Sequence, residues 1–166
     1  MENPNITAIM LNGNNIGAEG ISQLAGIFRP PCMLKQVSLE WNNIGVVDQG
    51  IEVLADVMSS NRTVSSLDLR NNRIGPEGAI ALAGMIRTNS TLQRLDLRWN
   101  ELGPAGGREI LNGVQTNKQL GTLEIAGNKI PEELLNQIDQ AVTKGERRLS
   151  GPPPVLEQNI SPMRGS

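Results

Sequence analysis

Two aspartates and two arginines recur at one spacing, and both are side-chain types that can do chemistry. The phrase LDLR occurs twice, once with Asp68 and Arg70 and once with Asp96 and Arg98. Paired carboxylates can serve general acid–base catalysis, and guanidinium groups bind anions. Catalysis would need a site that excludes water and shifts a carboxyl pKa, and the flanking residues predict no such site. We therefore expect no enzyme activity and interpret these residues as a surface.

Composition disfavours several other classes of function. The chain of 166 residues contains no histidine and one cysteine, Cys32, so the commonest general base and metal ligands are missing. We expect no metal and no cofactor. The formal net charge of −2 argues against a nucleic-acid partner, and no apolar run is long enough to predict a membrane span. A single cysteine and no secretory signal favour a cytoplasmic location.

An internal repeat positions these residues. An aliphatic phrase that ends in asparagine occurs five times, with steps of 28, 30, 28 and 28 residues between the asparagines. The asparagines are Asn14, Asn42, Asn72, Asn100 and Asn128. Apolar residues at helical spacing follow each phrase, as in Ala79, Leu82, Ala83 and Ile86. Each unit is therefore predicted to contain a short strand, a turn and a helix.

The phrase L-x-x-L-x-L-x-x-N-x-L, with other aliphatic residues allowed, resembles the leucine-rich repeat of the ribonuclease-inhibitor-like class. The resemblance covers residues 6–142 and implies an α/β solenoid. This fold is a short curved horseshoe of about five repeats, with parallel strands on the concave face and helices on the convex face. We place a repeat domain at 1–144, with repeats near 6–33, 34–63, 64–91, 92–119 and 120–144. Its last helix forms a C-terminal cap, and residues 145–166 form a tail that is either disordered or a docking segment.

The five asparagines have a structural interpretation. Each is predicted to point inward, where a buried amide needs hydrogen-bond partners. In the leucine-rich-repeat family the corresponding asparagine pairs with the backbone of adjoining turns. We therefore expect all five to form a buried ladder along the stack.

Two features distinguish the first units from the rest. The second unit has a loop two residues longer than that of the third, and its Val46 and Val47 either pack locally or contact a partner. The first phrase begins at Ile6, so its strand is expected at an edge of the sheet. Three alternatives remain for this edge: residues 1–5 cover it, the chain is part of something longer, or another molecule covers it, which we favour.

Strand alternation sends every second side chain to the concave face. The charged residues in these outward columns are Glu40, Asp68, Arg70, Arg94, Asp96, Arg98 and Glu124. Two interpretations of the arginines remain open. The charges form either a surface lattice that satisfies itself or a polar patch that binds a partner.

The residues just before the asparagines form another column, which contains Gly13, Trp41, Asn71, Trp99 and Gly127. A buried column would not accept residues of such different size, so this column is predicted at the exposed concave rim. The two tryptophans then lie about 10 Å apart, with Arg70 between their repeats and able to stack on an indole. Each ring either shields its own turn or anchors a partner, together with Asn71 and the charged columns.

The sequences of the later units are more specific than the generic repeat phrase. LEWNNIG, LDLRNNRIG, LDLRWNELGPAGGREIL and LEIAGNKIP occur in an order similar to the repeats of a leucine-rich-repeat protein that serves as a linker at the centrosome and the basal body. The resemblance implies a non-catalytic protein–protein interaction scaffold in a centrosomal, basal-body or ciliary and axonemal assembly.

The alternative is a soluble cytosolic regulator, of the inhibitor or GTPase-regulating type, that binds a partner through the concave face. The known inhibitors are rich in cysteine, and the GTPase activators use an exposed arginine in their early repeats. This chain has one cysteine and no arginine in the early concave columns, so we favour the scaffold.

Overall fold

The computed structural model describes residues 5–150, with side chains up to Lys144. Five units follow one another, and each contains a strand of three residues and then a helix. The strands are β1 (Ala8–Met10), β2 (Gln36–Ser38), β3 (Ser66–Asp68), β4 (Arg94–Asp96) and β5 (Thr122–Glu124). The helices are α1 (Gly17–Leu24), α2 (Asp48–Ser60), α3 (Pro76–Thr88), α4 (Gly103–Thr116) and α5 (Glu132–Ser150). Short 3-10 helices cover Ala25–Phe28 and Ile44–Val46.

The strands form one parallel sheet in the order β1-β2-β3-β4-β5, and equivalent residues of neighbouring units lie side by side. Successive helices pack against one another in a second layer. Helices need about 10 Å of width and strands about 4.8 Å, so the helices take the outside of the curve. The predicted α/β solenoid is confirmed.

The core lies between the sheet and the helices. Inward strand residues such as Leu69 and helix residues such as Leu82 are fully buried. Small residues let α4 approach its neighbours closely, because a Cβ on Gly106 would lie 2.9 Å from the Ala79 Cβ. A Cβ on Gly107 would lie 3.0 Å from a Leu134 methyl group, so α4 packs tightly on both sides.

The longer loop of the second unit forms the 3-10 helix Ile44–Val46. Ile44 is fully buried, and a Cβ on Gly45 would lie 2.6 Å from the Ile74 Cα, so this part of the loop has no spare room. The extra length is therefore displaced outward, and Val46 and Val47 are 57% and 55% exposed. Both side chains are thus more than half exposed, and contact with a partner stays a prediction.

The two ends of the stack differ in how they continue. Among the described residues β1 has a single neighbouring strand, β2. At the other end, α5 continues to Ser150, into the segment that we predicted as a tail. The remainder of that tail, residues 151–166, lies outside the described residues. None of the helices described is both long and apolar enough to span a membrane.

Candidate protein-binding surface

The inward asparagines join neighbouring units through both atoms of their amides. The Asn42 Nδ2 donates to the carbonyl oxygens of Leu11 at 2.7 Å and Leu39 at 2.9 Å. Its Oδ1 accepts from the backbone N–H groups of Asn14 at 3.0 Å and Ile16 at 3.3 Å. Three further asparagines that are equally buried and join units in the same way are Asn72, Asn100 and Asn128. These residues hold backbone together and are closed to a partner.

Asn14 departs from the expectation of a buried ladder. Its side chain is exposed, and its Nδ2 donates at 3.2 Å to the carbonyl of Asn12 in its own turn. Burial of this amide requires a preceding unit packed against it, and no unit occupies that side among residues 5–150. The prediction of an inward, buried Asn14 is therefore wrong.

A second asparagine ladder, which the sequence analysis missed, lies where the helices end. Asn61, Asn89 and Asn117 follow α2, α3 and α4 at steps of 28 residues, which is the signal that could have found them. The Asn61 Nδ2 donates to the Phe28 carbonyl at 2.7 Å, and its Oδ1 accepts from the backbone N–H of Val64 at 2.8 Å. This ladder satisfies the helix C-termini and holds the side of the solenoid opposite the first ladder.

The concave charges form a connected lattice centred on Arg70. Its Nη2 lies 2.7 Å from Asp68 and 2.9 Å from Glu40, and its Nε lies 3.4 Å from Asp96. Asp96 also accepts from Arg98 at 2.6 Å. The guanidinium of Arg70 therefore bridges the second, third and fourth units through carboxylates, where the sequence had suggested that it stacks on an indole.

The lattice favours the charged forms of Asp68 and Arg70. Partial burial acts to raise the pKa of Asp68, but hydrogen bonds from Arg70 and Ser38 outweigh it and hold that pKa below its ordinary 3.8. Hydrogen bonding to Asp68 in turn raises the pKa of Arg70. Arg94 differs from these residues, since it is exposed and has no ion-pair partner in the described part of the chain.

The tryptophan column has an unusual backbone. Trp41 and Trp99 both have φ of 58°, in the left-handed region that bulky residues rarely adopt. The other members of the column share this conformation, with φ of 71° at Gly13, 55° at Asn71 and 77° at Gly127. Glycine and asparagine are the residues that tolerate it best, so their presence in the column was the sequence signal for this turn. Each tryptophan therefore occupies a position that costs of order 1–3 kcal/mol in backbone strain.

Both rings are exposed, but their surroundings differ. Trp41 is 62% and Trp99 61% exposed. The Trp99 ring lies over Gly127 of the next unit, because a Cβ on that glycine would be 2.9 Å from the Trp99 Cδ2. Trp41 has Asn71 at the matching position of its next unit, where Trp99 has Gly127. The Asn71 Nδ2 donates to the Glu40 Oε1 at 3.2 Å. Trp99 thus shields the turn at Gly127 in the next unit and not the turn in which it lies.

The arrangement suits binding to a broad surface. Met10, Ser38, Asp68, Arg70 and Arg94 are among the residues that line a shallow concave depression of about 350 Å³. Among the residues with described side chains, no three histidine, cysteine or carboxylate groups are placed to hold a metal ion. The depression offers charged hydrogen-bonding groups, and the two exposed tryptophans are not among the residues that line it.

Comparison with known proteins identifies the repeated units. The family model described as "Leucine Rich repeat" matches residues 2–25, 60–83 and 88–111. The matched stretches are leucine-rich repeats. Two solved structures share the fold, although their identity to this chain is too low to indicate more than that. "Leiomodin-1 Actin-Binding Site 2 (ABS2)" superposes with a TM-score of 0.79 at 18% identity, over 89% of this chain and 85% of that one. The tropomodulin C-terminal domain of Caenorhabditis elegans superposes with a TM-score of 0.72 at 14% identity, over 89% of each chain.

Two curated relatives match the leucine-rich repeats in sequence. "Leucine-rich repeat-containing protein 45" of Gallus gallus is 38% identical over 72 residues, which are 43% of this chain and 11% of the relative. "NACHT, LRR and PYD domains-containing protein 5" of Mus musculus is 34% identical over 74 residues, which are 44% of this chain and 6% of the relative. The aligned regions are thus about a tenth or less of the length of these curated relatives.

Proposed function

We propose that this leucine-rich-repeat domain is a non-catalytic scaffold that binds a partner protein through its concave face. The observation that carries the proposal is the pair of exposed tryptophans at one repeat position. Tryptophan is among the side chains that most often dominate binding energy in protein interfaces. The leucine-rich repeats and the similarity to Leucine-rich repeat-containing protein 45 support the general role of a protein-interaction domain.

The backbone of the column supports a role in binding. Gly13, Asn71 and Gly127 meet the left-handed conformation at little cost, whereas a tryptophan there is strained. Trp41 gains little burial in return, because most of its surface is in solvent. Strain without a stabilising contact is typical of residues that serve a function, and a partner that covers the ring would supply the missing contact.

The charge lattice would give such a partner a fixed pattern to match. Arg70 is held by three carboxylates, so its position costs little additional ordering when a partner binds. Arg94 has no such restraint and offers an exposed positive charge beside the lattice. We assign the tryptophans to affinity, and Arg94 and Arg98 to selectivity among partners.

We place the domain in a cytoplasmic, cytoskeleton-associated assembly, such as a centrosome, basal body or cilium. Support comes from the sequence similarity of the repeats to those of Leucine-rich repeat-containing protein 45. The regulator alternative keeps the concave face as its binding surface. This chain lacks the features of known regulators, because its early concave columns contain Asn12 and Glu40 and no arginine.

An affinity purification with matched variants tests the proposal. The tagged chain is expressed in ciliated cells, and its bound proteins are quantified beside those of Trp41→Asn/Trp99→Asn, which copies the residue of the third unit. We expect centrosomal or axonemal proteins on the original chain and at least about a tenfold loss on the variant. Ile80→Asn, an exposed aliphatic position on α3, serves as the control. Equal capture by both tryptophan forms would contradict the concave site, and capture of soluble regulators alone would contradict the assembly.

A further inference from the structure

The two tryptophans lie at a fixed separation along the sheet. Hydrogen bonding between units continues as far as their column, since the Trp41 N–H donates to the Arg70 carbonyl at 3.1 Å. The Asn71 N–H donates to the Arg98 carbonyl at the same distance. Neighbouring members of the column are therefore one strand spacing apart, about 4.8 Å. Trp41 and Trp99 are two units apart, which separates their backbones by about 9.6 Å.

Both tryptophans present the same groups to solvent. Each has a φ of 58°, and their exposed fractions, 62% and 61%, are nearly equal. Within the part of the chain that the structure describes, neither indole N–H has a hydrogen-bond partner. Each position therefore offers a partner one apolar ring and one unused hydrogen-bond donor.

A polyproline II helix repeats at nearly the same distance as the tryptophans. It has three residues per turn and rises about 3.1 Å per residue, so every third side chain returns to one side after about 9.3 Å. Its carbonyl groups make no internal hydrogen bonds and are free to accept from an indole N–H. A β-strand returns a side chain to one face about every 6.7 Å, and two turns of α-helix span about 10.8 Å. Both fit the pair less well, and aromatic surfaces are the ones that proline-rich segments bind.

The charges beside the column specify the polar residues of such a segment. The second unit contributes Glu40 and no arginine to the concave face. In the fourth unit, Arg94 and Arg98 outnumber Asp96. Arg98 pairs with that aspartate, whereas Arg94 is exposed and has no ion-pair partner among the described side chains. The unpaired positive charge thus lies in the unit of Trp99, where a carboxylate of the segment would complement it.

We infer that Trp41 and Trp99 bind a proline-rich segment of a partner protein, which crosses the strands as a polyproline II helix and carries a carboxylate beside Arg94. One proline of the segment covers each ring, with two residues between the prolines. The inference rests on the proposed function and names the chemistry of the partner.

Intrinsic fluorescence tests the inference directly, because the chain contains two tryptophans and no tyrosine. The probe is the peptide EPPAPPAPPA, acetylated and amidated at its ends, which has prolines three residues apart and one carboxylate. We expect a saturable change in the emission of the full chain. Trp41→Asn and Trp99→Asn should each weaken binding by about tenfold or more, because each removes one of the two rings.

A variant that moves one ring tests the spacing. Trp41→Asn/Asn71→Trp keeps the same residue types in the column but sets the two tryptophans in adjacent units, about 4.8 Å apart. It should bind the probe as weakly as Trp41→Asn does, with thermal unfolding of each variant measured to establish that it is folded.

A second peptide tests the charge. In KPPAPPAPPA a lysine replaces the carboxylate, and the original chain should bind this peptide about threefold more weakly than the probe. Arg94→Gln should remove this preference. An equal preference in the original chain and in Arg94→Gln would contradict the pairing at Arg94.

Three results would overturn the inference. One is the lack of a saturable change in emission with the probe, and another is binding to the moved-ring variant as tight as to the original chain. The third is evidence for a different occupant. An altered emission in Pro152→Ser/Pro153→Ser/Pro154→Ser without peptide would assign the rings to the chain's own tail, and self-association in sedimentation velocity that Trp99→Asn abolishes would assign them to a second copy.

Failure of this inference and failure of the proposed function are distinguishable. If the probe does not bind but Trp41→Asn/Trp99→Asn still loses its partners in the affinity purification, the proline-rich segment is wrong and the concave site stands. If neither effect is seen, both are wrong.

Discussion

Asn42 and Trp41 are neighbours in one phrase, as are Asn100 and Trp99, yet each pair divides between two environments. The asparagines are at most 4% exposed, and both atoms of each amide bond to backbone of their own and the preceding unit. The tryptophans are more than 60% exposed on a strained backbone. The position that joins units is always asparagine in this chain, whereas the position before it varies freely. The difference teaches that one residue of the phrase maintains the stack and its neighbour is available for recognition.

The largest effect should come from the ladder. Asn72→Ala removes four hydrogen bonds, two donated to the carbonyls of Leu39 and Arg70 and two accepted from backbone N–H groups. It leaves buried groups unsatisfied, so we expect a loss of about 3–4 kcal/mol in the free energy of unfolding, measured by urea denaturation. The control is Asn14→Ala, which should cost less than about 0.5 kcal/mol because its amide is exposed. Equal losses at the two positions would break the comparison.

An intermediate effect should distinguish the glycine that lies under the Trp99 ring from the glycine that has open space around it. Gly127→Ala meets both a φ of 77° and the Trp99 ring, so we expect a cost of about 2 kcal/mol in chemical denaturation. Gly13→Ala has a similar φ of 71° but open space around its Cβ, and it should cost about 1 kcal/mol. If both alanines cost the same, the ring does not rest on Gly127 in solution.

The smallest effect should come from the charge lattice and should appear only in acid. The pKa of Asp68 is lower in the folded chain than its ordinary 3.8. Its contribution to stability is therefore present above about pH 4 and is lost as the pH falls below 3.8 through the folded value. Asp68→Asn should flatten the decline in stability across that window, measured by thermal unfolding at a series of pH values. Asp139→Asn, at an exposed position of α5, is the control, and the same flattening there would refute a special role for the lattice.

Much of this arrangement could be predicted from repeat spacing alone. The steps between asparagines predicted five strand and helix units, and strand alternation assigned Asp68, Arg70 and Asp96 to one face. The carboxylates that pair with Arg70 could not be predicted, because the pairing depends on distances between side chains of different units. The order of residue types in a column does not give these distances. The prediction that Asn14 is buried was wrong because burial at this position requires a preceding unit, which the phrase itself does not supply. The ladder of Asn61, Asn89 and Asn117 has the same 28-residue period, but these asparagines lie after the helices and outside the strand phrase from which the units were predicted.

The central claim is that the tryptophans serve a partner and not the stack. The most direct test is the pair of Trp41→Asn and Trp99→Asn in one chain, with thermal unfolding and partner capture measured on the same preparation. Asparagine already occupies this left-handed position as Asn71, so we predict a melting temperature within about 2 °C of the original and at least about a tenfold loss of partner. A melting temperature lowered by about 8 °C or more with capture unchanged would contradict the account and make the rings structural wedges.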